Sequence, residues 1–306
     1  MSSMMASRSL LNNAWYISRS GFKRGFLFLY GGRVADEGEE PLPEYELSEL
    51  VIDFEGRALV IHGYSLLVDL VEYVFRRIHS DVDLSVLTRE EVKKLAEIGL
   101  VNAYMSGVTL PVTRTRYLEA VINAARENGI RVGVLAERGS LSSNPFVVLF
   151  EIDSGKLYFE DKALGSLSEV VCKPQNPSSQ CMLVDARGYG NTLTAIEEVY
   201  MSALSIREAY EVLTRPYRVA VLDDGYVEKG STSDLIVYDL RNPLKASPCT
   251  SEDHLYAVIA RSQQPDIVFV SGDVFFEFGE NLAIPVSRVD NILVKLGEVK
   301  GKATTK

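Results

Sequence analysis

Apolar and polar residues alternate along this chain in three successive patterns. In the first 57 residues, short β-rich runs are bounded by glycine: Trp15-Tyr-Ile-Ser and Gly25-Phe-Leu-Phe-Leu-Tyr-Gly-Gly both read as strands. Asp36-Glu-Gly-Glu-Glu-Pro-Leu-Pro reads as an acidic surface loop, and the alternation from Leu50 to Arg57 as a half-buried strand ending in a turn. From residue 58 the period changes. Ala58-Leu-Val-Ile-His62 is continuously apolar, which suits a strand buried on both faces. Residues 66–78 repeat apolar positions at three and four (Leu66, Leu67, Leu70, Val71, Val74, Phe75, Ile78), predicting a helix. Thr88 with Glu91 forms a capping-box pattern that opens a helix carrying Val92, Leu95, Ala96, Gly99 and Leu100 on one side. A short strand at 109–113, a helix at 117–127 stopped by Asn128-Gly129, and a strand at 130–136 complete a strand–helix rhythm that predicts a parallel sheet.

After Arg138 that rhythm falters. Residues 146–152, 156–160, 169–173 and 182–185 look like strands with little helix between them. Helices are expected at 194–204 and 205–214. From about Pro216 the chain reads as β again, apart from a helix near 254–262.

The 306 residues are 46% hydrophobic and 24% charged, enough for a core of ordinary size. A net charge of −10 argues against a nucleic-acid partner, whose phosphates call for a basic surface. The N-terminus lacks the pattern of a signal peptide, and apolar runs such as 146–150 are far too short to cross a membrane, so no membrane association and a cytoplasmic location are expected. Cys172, Cys181 and Cys249 match no zinc-binding spacing; reduced, mostly buried thiols are expected, with a Cys172–Cys181 disulfide as the alternative.

Four segments in order carry a resemblance to a known family. These are residues 52–62, an apolar run ending in His62; residues 87–109; Asp185 with the following Asn191-Thr-Leu; and residues 230–279, including Ser233-Asp-Leu-Ile-Val-Tyr-Asp239. Together they resemble the amidohydrolase superfamily, in its cytosine-deaminase and chlorohydrolase branch. The resemblance implies an α/β fold: a TIM-like barrel plus a composite β-sandwich built from both chain ends. It places the sandwich in residues 1–57 and 216–306 and the barrel in 58–215. That barrel stretch allows about five strand–helix units at roughly 30 residues each, whereas a complete barrel takes about 250 residues. A reduced or partly open barrel is therefore expected, short of outer helices between Ala136 and Asp185.

Enzymes of this family hydrolyse C–N and related bonds with a water bound to zinc, iron or manganese. The resemblance implies ligands from a His-x-His pair, two further histidines and an aspartate. Here the pair reads His62-Gly63-Tyr64, and a phenol rarely replaces an imidazole. The other histidines are His79, expected at a helix end, and His254, expected outside the barrel. No histidine lies between them, so no metal and no cofactor are expected. His62 and Asp185 remain as catalytic-position residues, each with a structural alternative: a hydrogen-bonded histidine and a strand-end turn cap. Tyr64 and Glu137 are expected to line the same pocket. A carboxylated Lys173 bridging two metals is disfavoured because only one family histidine is left.

Two functions compete. The first is an amidohydrolase-like protein that has lost its metal and serves in binding or assembly, with a second copy or a related active enzyme as partner. The second is an active hydrolase with an atypical site around His62, Tyr64 and Asp185. Phe275, Phe276 and Phe278 are candidates for an assembly interface or for the core of a strand, the latter preferred.

Overall fold

The computed structural model describes residues 7–73, 84–142, 144–189, 191–220, 222–247, 251–261, 264–284 and 292. His79 and Cys249 lie outside the described residues. The chain begins with β1 (Arg8–Ser18), β2 (Gly21–Tyr30), β3 (Arg33–Gly38), β4 (Leu50–Asp53) and β5 (Ala58–His62). Then come α1 (Arg89–Met105), β6 (Val112–Thr113), α2 (Leu118–Glu127), β7 (Val132–Glu137), β8 (Val147–Asp153), β9 (Lys156–Phe159) and β10 (Lys162–Ser166). They are followed by α3 (Leu167–Val170), β11 (Val171–Cys172), β12 (Leu183–Val184), α4 (Thr192–Ser202) and α5 (Ile206–Val219). The chain continues through β13 (Leu235–Asp239), α6 (Glu252–Ala260), β14 (Ile267–Val270), β15 (Asp273–Glu277) and β16 (Glu280–Asn281).

Strands from both ends of the chain share one nine-stranded sheet, in the order β16-β15-β14-β13-β5-β1-β2-β3, with β4 added alongside β1. Its centre is β5, antiparallel to β13 with Leu235 opposite His62 and Asp239 opposite Ala58. All five β5 residues are buried, as the unbroken apolar run requires. The strand expected to open the barrel therefore belongs to this composite sheet. Phe275 and Phe276 are buried on β15, and Phe278 is exposed in the turn after it.

The parallel run starts one step later in the chain. Residues 64–68 are extended, pairing with 108–112 on one side and with 184–186 on the other. Val112 N donates to Leu66 O and Val68 N to Val112 O; Leu67 N donates to Val184 O and Ala186 N to Leu67 O. Six parallel segments thus lie side by side: β8, β7, β6, 64–68, β12 and β11. At one end β9 and β10 fold back antiparallel on β8. Among the described residues no pairing joins β10 to β11, so no closed barrel forms; the single turn of α3 spans the gap.

The helix expected over 66–78 is not formed in its described part, and 74–83 lie outside the described residues. Leu66, Leu67, Val68, Leu70 and Val71 are all fully buried. Burial on every side satisfies a three-and-four spacing as well as an amphipathic helix would, and the parallel pairing wins. Helix α1 starts where its sequence places it: Thr88 Oγ1 accepts from Glu91 N, and the Glu91 carboxylate accepts from Thr88 N. Two boundaries move. Strand β3 takes the first three residues, 36–38, of the acidic stretch expected as loop, and α5 continues past Pro216 to Val219 where β structure was expected. Cys172 and Cys181 form a disulfide, with Cα atoms 5.7 Å apart, instead of two free thiols.

Candidate functional site

His62 ends β5 with its ring fully buried. Nδ1 lies 2.9 Å from Gly63 O, which only accepts, so Nδ1 carries a proton. Nε2 lies 2.9 Å from Asp223 Oδ2 and 3.0 Å from Thr232 Oγ1. Thr232 Oγ1 donates its own proton to Asp223 Oδ2 at 2.6 Å, so Nε2 is the donor toward the carboxylate. The ring therefore carries both protons and faces Asp223 as an imidazolium–carboxylate pair. Burial pushes the His62 pKa down, but the Asp223 charge and hydrogen bond more than reverse this, and the net shift is upward. Asp223 is pushed up by burial too, yet His62 and Thr232 hold it far below the usual carboxylate range. Asp223 also accepts from Thr232 N at 2.9 Å and from Gly225 N at 2.7 Å. The His62 and Tyr217 rings pack edge-to-face, with centroids 4.3 Å apart and planes at 74°.

Tyr64, the position that resembles the second histidine of the pair, is buried, and its hydroxyl shares a 3.0 Å hydrogen bond with Tyr200. Burial holds its pKa well above 10, so the phenol stays protonated. It belongs to a tyrosine cluster beneath the nine-stranded sheet. In that cluster the Tyr210 hydroxyl accepts from His62 N and donates to Gly225 O, while Tyr217 pairs with Thr109.

Asp185 sits at the other end of the parallel segments, level with Leu67. Its carboxylate is enclosed by cations. Lys173 Nζ donates to Oδ2 at 2.9 Å, and Arg187 donates through Nε to Oδ1 at 2.9 Å and through Nη2 to Oδ2 at 3.1 Å. Arg187 N adds a bond to Oδ1 at 3.1 Å. Burial pushes Asp185 up, but these donors outweigh it and the net shift is downward. A carboxylate held this way is a weak proton acceptor at neutral pH. Lys173 thus serves as its counter-ion.

Glu137, at the end of β7, is exposed and pairs with Arg114 at 3.2 Å. Arg114, Arg116, Glu137 and Arg187 line one cleft of about 510 Å³ at the C-terminal edge of β6 and β7. Beside it, Thr115 Oγ1 donates to Glu72 at 2.7 Å and Gly188 N to Asp69 at 3.3 Å.

The four expected site residues therefore fall into two places. Asp185, through Arg187, and Glu137 meet at the C-terminal edge, where parallel α/β sheets carry their chemistry. His62 and Tyr64 do not reach it: Tyr64 precedes Leu67 by three extended residues, about 10 Å along the strand. His254 is in the first turn of α6, capped by Ser251. Sequence reasoning passed over Asp223 and Thr232, which a reader takes for turn residues in Asp-Asp-Gly and Ser-Thr-Ser contexts. It also passed over the arginines; the Thr113-Arg-Thr-Arg116 alternation just past β6 was the available signal.

No family model matches the sequence, and no curated protein matches it. Solved structures do. An adenosine deaminase from Xanthomonas campestris with bound zinc superposes with a TM-score of 0.69 at 10% identity, over 98% of this chain and 99% of that one. An atrazine chlorohydrolase from Arthrobacter aurescens TC1, complexed with zinc, gives 0.62 at 13% identity over 95% and 99%. The chain shares the fold of these two zinc-bound proteins. An amidohydrolase from a Sargasso Sea environmental sample agrees, at 0.64 and 13% over 95% and 97%. Two of these neighbours hold zinc, and the donors of this chain bear on whether it fits such an ion. Both His62 nitrogens are spent on Gly63 and Asp223, the Tyr64 phenol keeps its proton, and Asp185 is neutralised by Lys173 and Arg187. A cation at any of the three would have to break a buried hydrogen bond or displace a cation already there. Among the described residues, no three His, Cys, Asp or Glu side chains are grouped to hold a metal. Among the same residues, no helix is long and apolar enough to cross a membrane. The donors do not fit a hydrolytic metal.

Proposed function

We propose that this chain is an amidohydrolase-fold protein that works without the hydrolytic metal, as a binding or assembly protein. The observation that carries this reading is the occupation of Asp185, the aspartate at the functional edge, by Lys173 and Arg187. In a metal-dependent hydrolase that carboxylate would ligate the ion or take a proton from its water. Here two cations hold the place of a metal's charge, and the edge is built to present guanidinium groups. The competing reading, an active site shared by His62, Tyr64 and Asp185, asks for acid–base partners within hydrogen-bond reach of one reacting atom. The strand separation between Tyr64 and Asp185 speaks against it. The buried imidazolium of His62 also has no lone pair to offer.

Elemental analysis of the purified full chain, after incubation with zinc, iron and manganese, tests the proposal. Less than about a tenth of an equivalent retained after desalting is the expected outcome. A stoichiometric metal, removable by chelator with loss of a C–N hydrolase activity, overturns it.

A further inference from the structure

The cleft at the C-terminal edge of β6 and β7 gathers three arginines in a protein whose net charge is −10. Arg114, Arg116 and Arg187 line it together with Glu137, while Asp185, Asp69 and Glu72 act on Arg187 from beside it. Two of the guanidinium groups are paired with carboxylates, one within the cleft and one beside it. Arg114 rests on Glu137 at 3.2 Å, and Arg187 is gripped by Asp185 at 2.9 Å on Nε. A two-point grip on one carboxylate leaves Arg187 N–H groups unspent and fixes the plane of the fork. Arg116 stacks its guanidinium 4.9 Å from the centre of the Tyr117 ring and has no carboxylate partner among the described residues. Leu118, Leu135 and Ala136 supply the apolar part of its lining. A cleft of about 510 Å³ falls in the range of small-molecule sites.

We propose that this cleft binds a small organic oxyanion, a carboxylate or a phosphate carrying an apolar body, through Arg114, Arg116 and Arg187. The proposal rests on the reading of the chain as a binding protein and names its ligand class. Guanidinium forks match the planar geometry of carboxylates and the oxygen pairs of phosphates. Arginines already oriented by neighbours lose little conformational freedom when the ligand arrives. The apolar part of the lining takes the body of the ligand, and Glu137 and Asp185 keep the cleft from retaining inorganic counter-ions as tightly as an organic anion that also covers that part.

The test uses the full chain at low ionic strength, because salt screens exposed charges. Phenyl phosphate and benzoate, which share an apolar ring and differ in the anionic head, are titrated separately by calorimetry. Saturable one-to-one binding of at least one probe below about 1 mM is expected, and the stronger probe identifies the head group. Arg116→Gln and Arg114→Gln are each expected to weaken it at least five-fold. Lys162→Gln, which alters an exposed charge on β10, is expected to change it less than two-fold. Binding of neither probe overturns the proposal, and so does binding that both arginine variants retain or that Lys162→Gln weakens equally. Metal content and hydrolysis read on the same samples separate the two failures. A metal-loaded hydrolytic chain that still binds the probe sinks the metal-free reading alone. A metal-free chain that binds neither probe sinks only this one.

Discussion

Replacing Asp223 by alanine removes the carboxylate hydrogen-bonded to the buried His62 imidazolium and leaves it the more distant charge of Asp234; it also removes the acceptor for three further donors: Thr232 N, Thr232 Oγ1 and Gly225 N. The side chains of His62 and Asp223 are 0% and 5% exposed, so water cannot take over. Breaking a buried pair from one side costs about 3–5 kcal/mol, much of it the penalty on the charge left behind. His62 can shed a proton to limit the damage, which places the expected loss near the lower half of that range at neutral pH. Unfolding entropy of about 2.1 cal/mol/K per residue converts about 3–5 kcal/mol, for a chain of this length, into a Tm drop of about 5–8 °C. The pH dependence identifies the cause. His62 has a raised pKa, so its contribution is fully present below about 6.5 and is lost as pH rises through the folded-state value. Asp223 has a depressed pKa, so its contribution is present above about 3.9 and is lost as pH falls through the folded-state value. The gap between wild type and Asp223→Ala is therefore widest between about pH 4 and 6.5 and narrows above it. Differential scanning calorimetry at pH 5.5 and 9 reads both quantities. A Tm drop under about 2 °C, or an equal gap at the two pH values, refutes the buried imidazolium–carboxylate pair.

Gly99→Ala in α1 sets helix propensity against packing: alanine favours the helix by about 1 kcal/mol, but an added methyl meets the Leu70 backbone at 2.6 Å. Overpacking against backbone costs about 1–3 kcal/mol, so the variant is expected to melt lower; a higher Tm would show that 66–73 do not pack on α1 as described. Arg187→Gln leaves Asp185 with Lys173 alone and should cost about 1 kcal/mol at pH 7, given the partial exposure of the arginine. Because the Asp185 pKa is depressed, that difference is present above the ordinary carboxylate value and should be lost as pH falls through the lowered folded-state value; a difference that persists in strong acid assigns it to packing. Reducing Cys172–Cys181, a sequence separation of 9, removes about 2.5 kcal/mol by the chain-entropy relation and should lower Tm by about 4 °C. Cys172→Ser should show the same drop and no response to reductant, and a reductant-sensitive Cys172→Ser chain would place the disulfide elsewhere.

Local chemistry was readable from the chain alone. The Thr88–Glu91 capping box, the Asn128-Gly129 stop and the buried character of 58–62 all act within a few residues, and each formed as read. The ordered family resemblance pointed to a mixed α/β fold, and the chain has one. What could not be read was pairing over distance. That His62 lies opposite Leu235 and against Asp223 depends on two segments more than 160 residues away closing on β5, and no local pattern records which strands meet. The 66–71 run shows the same limit: its spacing is compatible with a helix, and only the neighbours at 108–112 and 184–186 decide that it is a strand.

The candidate site divides along the same line. Sequence supplied a count of three histidines, fewer than the ligand set that the resemblance implies; a count needs no geometry. It singled out Asp185 and Glu137 as strand-end carboxylates. Only tertiary structure decided what those carboxylates do, because a charge takes its role from the partner within a few ångströms. Lys173 and Arg187 close on Asp185, Arg114 closes on Glu137, and the edge presents arginines. His62 was separated from that edge by a choice no residue pattern encodes: β5 ends in the composite sheet, and the parallel strand begins only after Gly63.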